Sequence, residues 1–112
     1  MSIYEQIIEI CKKYNITHIT TKEIKELLQR EFGTSEGSIL PSDFCYNRYN
    51  EGIKFDKHIF EYIKKGVYSY LGENYQYNGR IIHKPKGSKT EEVVGYWENG
   101  KKFMYKDKIK NI

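Results

Sequence analysis

The 112-residue sequence predicts one α+β domain that is winged helix-turn-helix-like, with an additional β-hairpin toward its C-terminal end. Three observations support this prediction. Apolar residues recur at helical spacing near the start, the hydrophobic period changes from near four to two after about residue 57, and turn residues separate the alternating segments. We therefore expect a single domain over 1–112, with a helical part over 1–57, β-hairpins over 58–105 and a basic tail over 106–112.

Two helices are predicted from capping boxes, each of which is followed by an apolar stripe. Ser2 precedes Glu5 by three residues, a spacing that lets the two side chains satisfy backbone N–H groups at a helix start. Thr20 and Glu23 repeat this spacing. Gly33 suits the position just past the second helix, since glycine readily takes the left-handed conformation found there.

The segment 38–52 (SILPSDFCYNRYNEG) predicts a short third helix. Pro41 is tolerated in a first helical turn, and the short polar side chains that follow it can accept hydrogen bonds from N–H groups. Gly52 would end the helix. We expect it to extend from Ser42 to Asn50.

Two β-hairpins follow from alternating patterns that flank short turns. The first turn is Lys-Lys-Gly at 64–66, and the second is Asn99-Gly100, a pair that favours a two-residue hairpin turn. Between them an extended segment is expected, with a turn candidate at Asn78-Gly79. The predicted strands are 58–63, 67–72, 75–83, 93–97 and 101–105.

The charge of the chain is small overall and unevenly placed. The net charge is +4, and two basic segments, 67–90 and 101–112, flank the acidic segment 91–100. The basic tail is interpreted either as a solvated lysine-rich segment or as a segment that contacts phosphates. The composition therefore permits nucleic-acid binding without requiring it.

Hydropathy and cysteine spacing exclude several classes of protein. No apolar run approaches the roughly 18 residues of a membrane span, and the N-terminus lacks the apolar core of a signal peptide. Cys11 and Cys45 lie far apart without paired spacing, so neither a disulfide framework nor a zinc site is indicated. We expect a cytoplasmic protein with two buried thiols, no membrane partner, no metal and no cofactor.

Three polar residues of the predicted third helix are of the types that read base edges. Arg48 can pair with guanine, and Asn47 and Asn50 can pair with adenine, in each case through two hydrogen bonds in the major groove. The alternative is structural: Asn47 caps or ends the helix, and Arg48 forms a bridge to Asp43 or Glu51.

Basic residues near the predicted hairpins are candidates for phosphate contacts. Lys64 and Lys65 lie at the tip of the first hairpin, and Arg80 and Lys84 extend the positive charge along the chain. A solvated turn explains the first pair equally well. The candidate nucleic-acid-binding residues are therefore Ser42, Asn47, Arg48, Asn50, Lys54, Lys64, Lys65, Arg80 and Lys84. Four tyrosines, at positions 68, 70, 75 and 77, either offer stacking surfaces for unpaired bases or form half-buried cross-strand pairs.

No catalytic constellation is predicted. The triplets at 66–68 (GVY) and 70–72 (YLG) are similar to the two halves of the GIY-YIG nuclease signature, but only Ser69 separates them, whereas in that family they lie on separate strands. The three histidines lack the close spacing of a metal site, and there is no phosphate loop or nucleophile elbow. We expect the protein not to be an enzyme.

The motifs PSDFCYNRYNEG, GVYSYLGENYQYNG and VVGYWENGK resemble a small uncharacterised domain family of bacteria and their phages. Its pattern is CYN-x-x-N-x-G followed by GxYxYLG, and its members occur alone or appended to restriction-type endonucleases. The resemblance implies a winged-helix-like accessory module that acts on DNA in conflict between bacteria and phages. It also marks Asn47, Asn50 and Gly52 as family positions, either for function or for building the fold.

These observations predict a non-enzymatic module that binds double-stranded DNA, in bacterial or phage transcription control or defence. The third helix would contact base edges and the hairpin would contact phosphates. The alternative is a protein-binding module, such as a phage-encoded inhibitor of a host defence enzyme, because tyrosine is enriched at binding hot spots. A DNA-binding protein should show Arg48, Lys64, Lys65 and Arg80 as one positive patch. A protein inhibitor should show an aromatic patch that includes Trp97.

Overall fold

The helices come first in the chain and the strands follow. A computed structural model describes residues 1–105. Its helices are α1 (Ile3–Lys13) and α2 (Thr21–Phe32), and two short 3-10 helices follow them at Glu36–Ser38 and Pro41–Phe44. The strands are β1 (His18–Thr20), β2 (Phe60–Lys64), β3 (Val67–Tyr70), β4 (Gly79–His83), β5 (Glu92–Glu98) and β6 (Lys101–Met104). The class is α+β, as predicted.

Both predicted capping boxes form. The Oγ of Ser2 accepts a hydrogen bond from the backbone N–H of Glu5 at 3.1 Å, and the carboxylate of Glu5 accepts one from the N–H of Ser2 at 3.0 Å. Thr20 and Glu23 repeat the arrangement at the start of α2. Gly33 ends α2 with φ at +70°, in the left-handed conformation. Local sequence signals therefore determine where these helices begin and where α2 ends.

The first sheet contains a strand that the sequence does not predict. Its order is β1-β3-β2, with all neighbours antiparallel. The hairpin of β2 and β3 is confirmed, although β2 begins two residues later than predicted. The short β1 lies between the two helices and pairs its central Ile19 with Tyr68 of β3.

The second sheet has the order β4-β5-β6 and is also antiparallel. The predicted turn at Asn99-Gly100 is confirmed, with positive φ at both residues, as a tight hairpin turn requires. Gly95 lies buried in β5, where a Cβ atom would overlap the carbonyl oxygen of Phe103. The predicted turn at Asn78-Gly79 within one extended segment is wrong, because β4 itself begins at Gly79.

The predicted third helix from Ser42 to Asn50 is also wrong. Only Pro41–Phe44 is helical, as a single 3-10 turn, and the chain then makes isolated bridges at Cys45 and Arg48 with a turn between them. We call residues 45–49 the strap. Tyrosine, asparagine and cysteine have modest helix propensity, and the backbone groups of the strap find partners in both sheets instead.

The strap connects the two sheets through backbone hydrogen bonds. On the first sheet, the N–H of Tyr46 donates to the carbonyl of Phe60 at 2.8 Å. On the second, the N–H of Tyr49 donates to the carbonyl of Ile82 at 2.9 Å, and the N–H of Ile82 donates to the carbonyl of Asn47 at 3.0 Å. Both contacts are parallel bridges.

Two hydrophobic cores lie on either side of the strap. The first core packs α1 and α2 on the first sheet and includes Ile7, Ile24, Leu28 and Phe60. The second core lies against β4 and β5 and includes Tyr46, Tyr77, Ile81, Val94 and Trp97. Among residues 1–105, no helix has both the length and the apolar character needed to cross a membrane.

Candidate functional site

Asn47 is engaged in holding the strap to the first sheet. Its Oδ1 accepts a hydrogen bond from the backbone N–H of Tyr62 at 2.8 Å, and its Nδ2 donates to the carbonyl of Tyr62 at 3.0 Å. One side-chain amide thus satisfies both backbone groups of a residue in β2. This role differs from base reading and from helix capping, the two roles that the sequence suggested.

Arg48 is paired and largely enclosed. Its guanidinium donates from Nη1 to Oε2 of Glu91 at 2.7 Å and lies 4.0 Å from the centre of the Tyr62 ring. Only 17% of the Arg48 side chain is exposed. The sequence analysis gave an ion pair of Arg48 as the alternative to base reading. Arg48 does pair with an acid, but that acid is Glu91 and not Asp43 or Glu51.

Asn50 follows the strap and hydrogen-bonds back to the 3-10 turn that precedes it. Its Nδ2 donates to Oδ1 of Asp43 at 2.9 Å and lies 3.2 Å from Oγ of Ser42. Ser42 and Asn50 therefore interact with each other, on the same side of the strap as Arg48. Their hydrogen bonds stabilise the chain reversal where a helix was expected.

Four of the predicted site residues line one small cavity. Ser42, Arg48, Asn50 and Lys84 surround a space of about 150 Å³. Rings and an aliphatic side chain complete its wall, contributed by Tyr49, Tyr62 and Ile82. The structure thus brings together residues that lie apart in the sequence, although Arg48 and Asn50 already have partners within the fold.

The first hairpin presents exposed basic residues beside the start of α2. Lys64 ends β2 and Lys65 lies in the turn, and both side chains are exposed. The N–H of Thr21 donates to the carbonyl of Gly66 at 3.0 Å, which holds this turn against the first turn of α2, where Lys22 is exposed. We call Lys22, Lys64 and Lys65 the basic edge. Within residues 1–105 none of its three side chains forms an ion pair.

The sequence did not identify Lys22 as a site residue. Its place beside the hairpin depends on the pairing of β1 with β3, in which Thr20 lies opposite Val67. The sequence could have indicated Lys22 only as an exposed lysine in the first turn of a capped helix. Lys25, Glu26 and Glu36 line a cavity with Lys22, so the basic edge is bordered on that side by charges of both signs.

Other predicted phosphate contacts lie elsewhere. Arg80 is exposed on β4, where it pairs in register with Tyr96 of β5. Lys84 follows β4, and Lys54 is exposed in the loop between the strap and β2. Arg48 is withdrawn into the fold, so it does not extend the positive surface as the sequence suggested.

An exposed aromatic surface lies on the second sheet. The rings of Tyr96 and Phe103 are stacked at 4.9 Å, and the ring of Tyr105 is 6.1 Å from that of Tyr96. Phe103 and Tyr105 are 43% and 40% exposed. We call these three residues the aromatic face. Trp97, which was expected in such a patch, is buried and donates from Nε1 to the carbonyl of Tyr46 at 2.6 Å.

The two thiols lie apart from each other in the first core. Cys11 and Cys45 are both buried, and burial raises the pKa of each thiol, so both stay protonated. Within residues 1–105, no three His, Cys, Asp or Glu side chains are grouped as metal ligands. The basic tail predicted over 106–112 lies outside the described residues.

Comparison with known proteins places the chain in a family without an assigned activity. A family described as a domain of unknown function, DUF7225, matches residues 2–104, a range that contains the CYNRYNEG and GVYSYLG motifs. The chain is 46% identical to the uncharacterized protein YnaC of Bacillus subtilis (strain 168) over 111 residues, which are 99% of this chain and 42% of YnaC. It therefore spans less than half of the length of that relative. No solved structure matches the chain.

Proposed function

We propose that this chain, which belongs to the DUF7225 family, is a non-enzymatic DNA-binding module that holds double-stranded DNA by its phosphates. Bacterial or phage transcription control or defence is the setting implied by the motif resemblance. The proposal rests on the arrangement of the first 70 residues and on the basic edge. It differs from the sequence prediction in how DNA is contacted.

The arrangement of elements is the observation that carries the proposal. Helix, strand and helix are followed, after the two 3-10 helices and the strap, by the hairpin, and the sheet order β1-β3-β2 places the hairpin beside the strand between the helices. We interpret this as a winged-helix-like fold in which β2 and β3 form the wing. In helix-turn-helix proteins one helix lies across the phosphate backbone, which is the role we assign to α2.

The basic edge is suited to phosphate contacts. Lys64 and Lys65 of the hairpin and Lys22 of α2 are held near one another by the hydrogen bond between Thr21 and Gly66. The N–H groups of Thr21 and Glu23 at the start of α2 are already engaged by Gly66 and Thr20, so the lysine side chains supply the contacts. Such contacts position a protein on DNA without reading its sequence.

Base reading has little support in the described residues. Asn47 and Asn50 hydrogen-bond within the fold, and Arg48 is paired with Glu91. The chain between α2 and β2 also has no regular helix to enter the major groove. We therefore propose binding that depends strongly on salt and weakly on DNA sequence.

Fluorescence anisotropy with a labelled random duplex tests the proposal. Raising the salt from about 50 to about 200 mM should weaken binding steeply, because phosphate contacts release counterions. The double variant Lys64→Ala/Lys65→Ala should bind more weakly and lower the salt slope by about 2. Lys12→Ala, which removes an exposed lysine from α1, is the matched control and should behave as wild type.

Two results would contradict the proposal. One is the absence of binding at about 50 mM salt with tens of micromolar protein, where even weak non-specific complexes are detected. The other is an equal loss of affinity in the double variant and in Lys12→Ala, since that would mean general charge attraction without a defined surface.

The second candidate function is protein binding, and the aromatic face favours it. The exposed rings of Phe103 and Tyr105 adjoin the half-buried ring of Tyr96, and aromatic residues are enriched in the buried centres of protein interfaces. An inhibitor of a host defence enzyme is one such module. The variant Phe103→Ala separates the two functions, because it should leave the anisotropy of duplex binding unchanged if DNA is held only by the basic edge.

A further inference from the structure

The outer face of the second sheet, which is turned away from the second core, carries rings where polar side chains are usual. Side chains alternate between the two faces along β5 and β6. Trp97 and Met104 pack toward the core, so Tyr96 belongs to the outer face. Phe103 and Tyr105 lie on that face too, and both are exposed. Because an antiparallel sheet normally presents polar residues to solvent, exposed rings here indicate a surface that binds something.

The rings of the aromatic face already form a short stack. Tyr96 and Phe103 are directly opposite in the register of β5 and β6, with ring centres 4.9 Å apart and planes inclined by 16°. The ring of Tyr105 lies 6.1 Å from that of Tyr96. Nucleic-acid bases stack on such rings, since every base has a π-face. A base placed on the exposed ring of Phe103 would continue the stack that the two side chains begin.

A cation lies in the same cross-strand row as the rings. Arg80 of β4 is opposite Tyr96 in the register, just as Tyr96 is opposite Phe103. Residues directly opposite in an antiparallel pair present their side chains on the same face. Arg80 is exposed, so its guanidinium is available beside the rings. Two strand spacings, about 10 Å, separate the backbones of Arg80 and Phe103, a distance that one nucleotide and its neighbouring phosphate can span.

The charges on this face favour an anionic ligand. Lys101 precedes Phe103 by two residues, so it lies on the same face, and it is exposed. Glu98 is opposite Lys101 in the register and is an acid on this face. Within residues 1–105 neither Arg80 nor Lys101 forms an ion pair. Two free cations against one carboxylate attract a polyanion.

The row formed by Arg80, Tyr96 and Phe103 decides between two kinds of occupant. Rings alone would suit a protein partner, whose hot spots fit into desolvated pockets. This face is an open sheet surface with a cation in line with the rings. Flat rings that alternate with negative groups match it, and unpaired bases joined by phosphates have this alternation. A duplex does not, because its bases are stacked inside the helix.

We propose that the outer face of the second sheet binds single-stranded nucleic acid. Unpaired bases stack on Phe103 and Tyr105, and Arg80 and Lys101 contact the phosphates. This inference goes beyond the proposed function, because the basic edge belongs to the first sheet and α2 and holds the phosphates of paired strands. DNA and RNA both offer these groups, and comparing strands of the two kinds distinguishes them.

Fluorescence anisotropy of the full chain with a labelled strand of about 15 thymidines tests the inference. An abasic strand of the same length should bind about tenfold more weakly, because it keeps the phosphates and lacks the bases. Phe103→Leu keeps an apolar side chain and removes the ring, so it should weaken thymidine binding about tenfold. Phe103→Tyr keeps the ring and should bind as wild type. Tyr14→Leu, which removes an equally exposed ring (43%) at the end of α1, is the matched control and should also bind as wild type.

Further arms test the cation, the kind of strand and independence from the basic edge. Arg80→Gln should lower the salt slope of thymidine binding by about 0.7. Tighter binding of the thymidine strand than of a uridine strand indicates DNA, and the reverse indicates RNA. Lys64→Ala/Lys65→Ala should weaken duplex binding and keep the preference for the thymidine strand over the abasic strand.

Three results would overturn the inference. The first is no binding of the thymidine strand at about 50 mM salt with tens of micromolar protein. In that case the protein-binding interpretation of the aromatic face is favoured, and the duplex measurements still decide the proposed function. The second is equal binding of the thymidine and abasic strands. The third is an equal loss of affinity in Tyr14→Leu and Phe103→Leu.

Discussion

The two cores of the molecule are built from different chemistry. The first is mainly aliphatic, and Ile7, Ile24 and Leu28 are fully buried in it without polar atoms to satisfy. The second is mainly aromatic, and its polar atoms are bonded across long sequence distances. In it Trp97 donates to the carbonyl of Tyr46 at 2.6 Å, and the hydroxyl of Tyr46 donates to the carbonyl of Gly72 at 2.6 Å.

This difference concerns what each core requires of its residues. An aliphatic core depends on volume and tolerates swaps that conserve it. A core of hydrogen-bonded rings depends on volume and on atom positions together, because each buried polar group left without a partner costs free energy. The second core should therefore be the less tolerant of conservative substitution.

The largest expected effect is the loss of Trp97. Trp97→Ala should lower the free energy of unfolding by about 3–5 kcal/mol, because it leaves a cavity and removes the donor to Tyr46. Leu28→Ala, in the first core, should cost about 2–5 kcal/mol from the cavity alone. Urea unfolding followed by far-UV circular dichroism measures both. Since the strap joins the sheets, each variant should still unfold in one transition, and two separate transitions would mean that the two cores unfold independently.

A pH effect of intermediate size is expected from His58, which packs on Trp97 at the edge of the second core. Its pKa is lowered from 6.5 to about 4, chiefly by burial and then by the charge of Lys102, and is opposed by the carbonyls of Cys45 and Phe55 and then by Asp56. Between pH 6.5 and pH 4 the imidazole of His58 is protonated in the unfolded chain and neutral in the folded chain. The free energy of unfolding therefore falls as the pH decreases toward 4. The loss amounts to about 3 kcal/mol.

Urea unfolding at several pH values measures this contribution. Carboxylates also titrate in this range, so the comparison is with His58→Gln, in which the histidine contribution is absent and the decline between about pH 7 and pH 4 should be shallower by about 3 kcal/mol. Parallel declines in the two proteins would mean that His58 is accessible to protons in the folded state.

The smallest expected effect sharpens the comparison by using two conservative substitutions. Tyr46→Phe keeps the ring and removes a hydroxyl that donates to Gly72 and accepts from the N–H of Tyr75, so it should cost about 1–3 kcal/mol. Ile24→Val in the first core should cost about 0.5–1.5 kcal/mol. Thermal unfolding ranks the two. A smaller loss for Tyr46→Phe than for Ile24→Val would remove the distinction drawn between the cores.

Features whose signals lie within a few residues were predicted from the sequence, and features that depend on distant partners were not. The capping box of Thr20 and Glu23 and the turn at Asn99-Gly100 were found because their signals lie within a few residues. The strand β1 was missed because three residues carry no periodicity, and their partner β3 comes much later in the chain. The strap was taken for a helix because Pro41 and Ser42 begin a turn that resembles a helix start.

In the candidate site, too, only the features that depend on neighbouring residues were predictable. The exposure of Lys64 and Lys65 was predictable, because a hairpin turn projects its side chains into solvent. The engagement of Asn47 by the backbone of Tyr62 was not, since it depends on how the strap lies on β2. His58 gave no local signal either, because its importance comes from the rings that surround it.

The strap also affects what happens while the chain is being synthesised. Residues 45–49 emerge from the ribosome before β2 and long before β4, so for an interval the backbone groups that later bond Ile82 are unpaired. Unpaired backbone groups of this kind can bond to another chain. The backbone partners of the strap are therefore completed only when Ile82 reaches Asn47 and Tyr49.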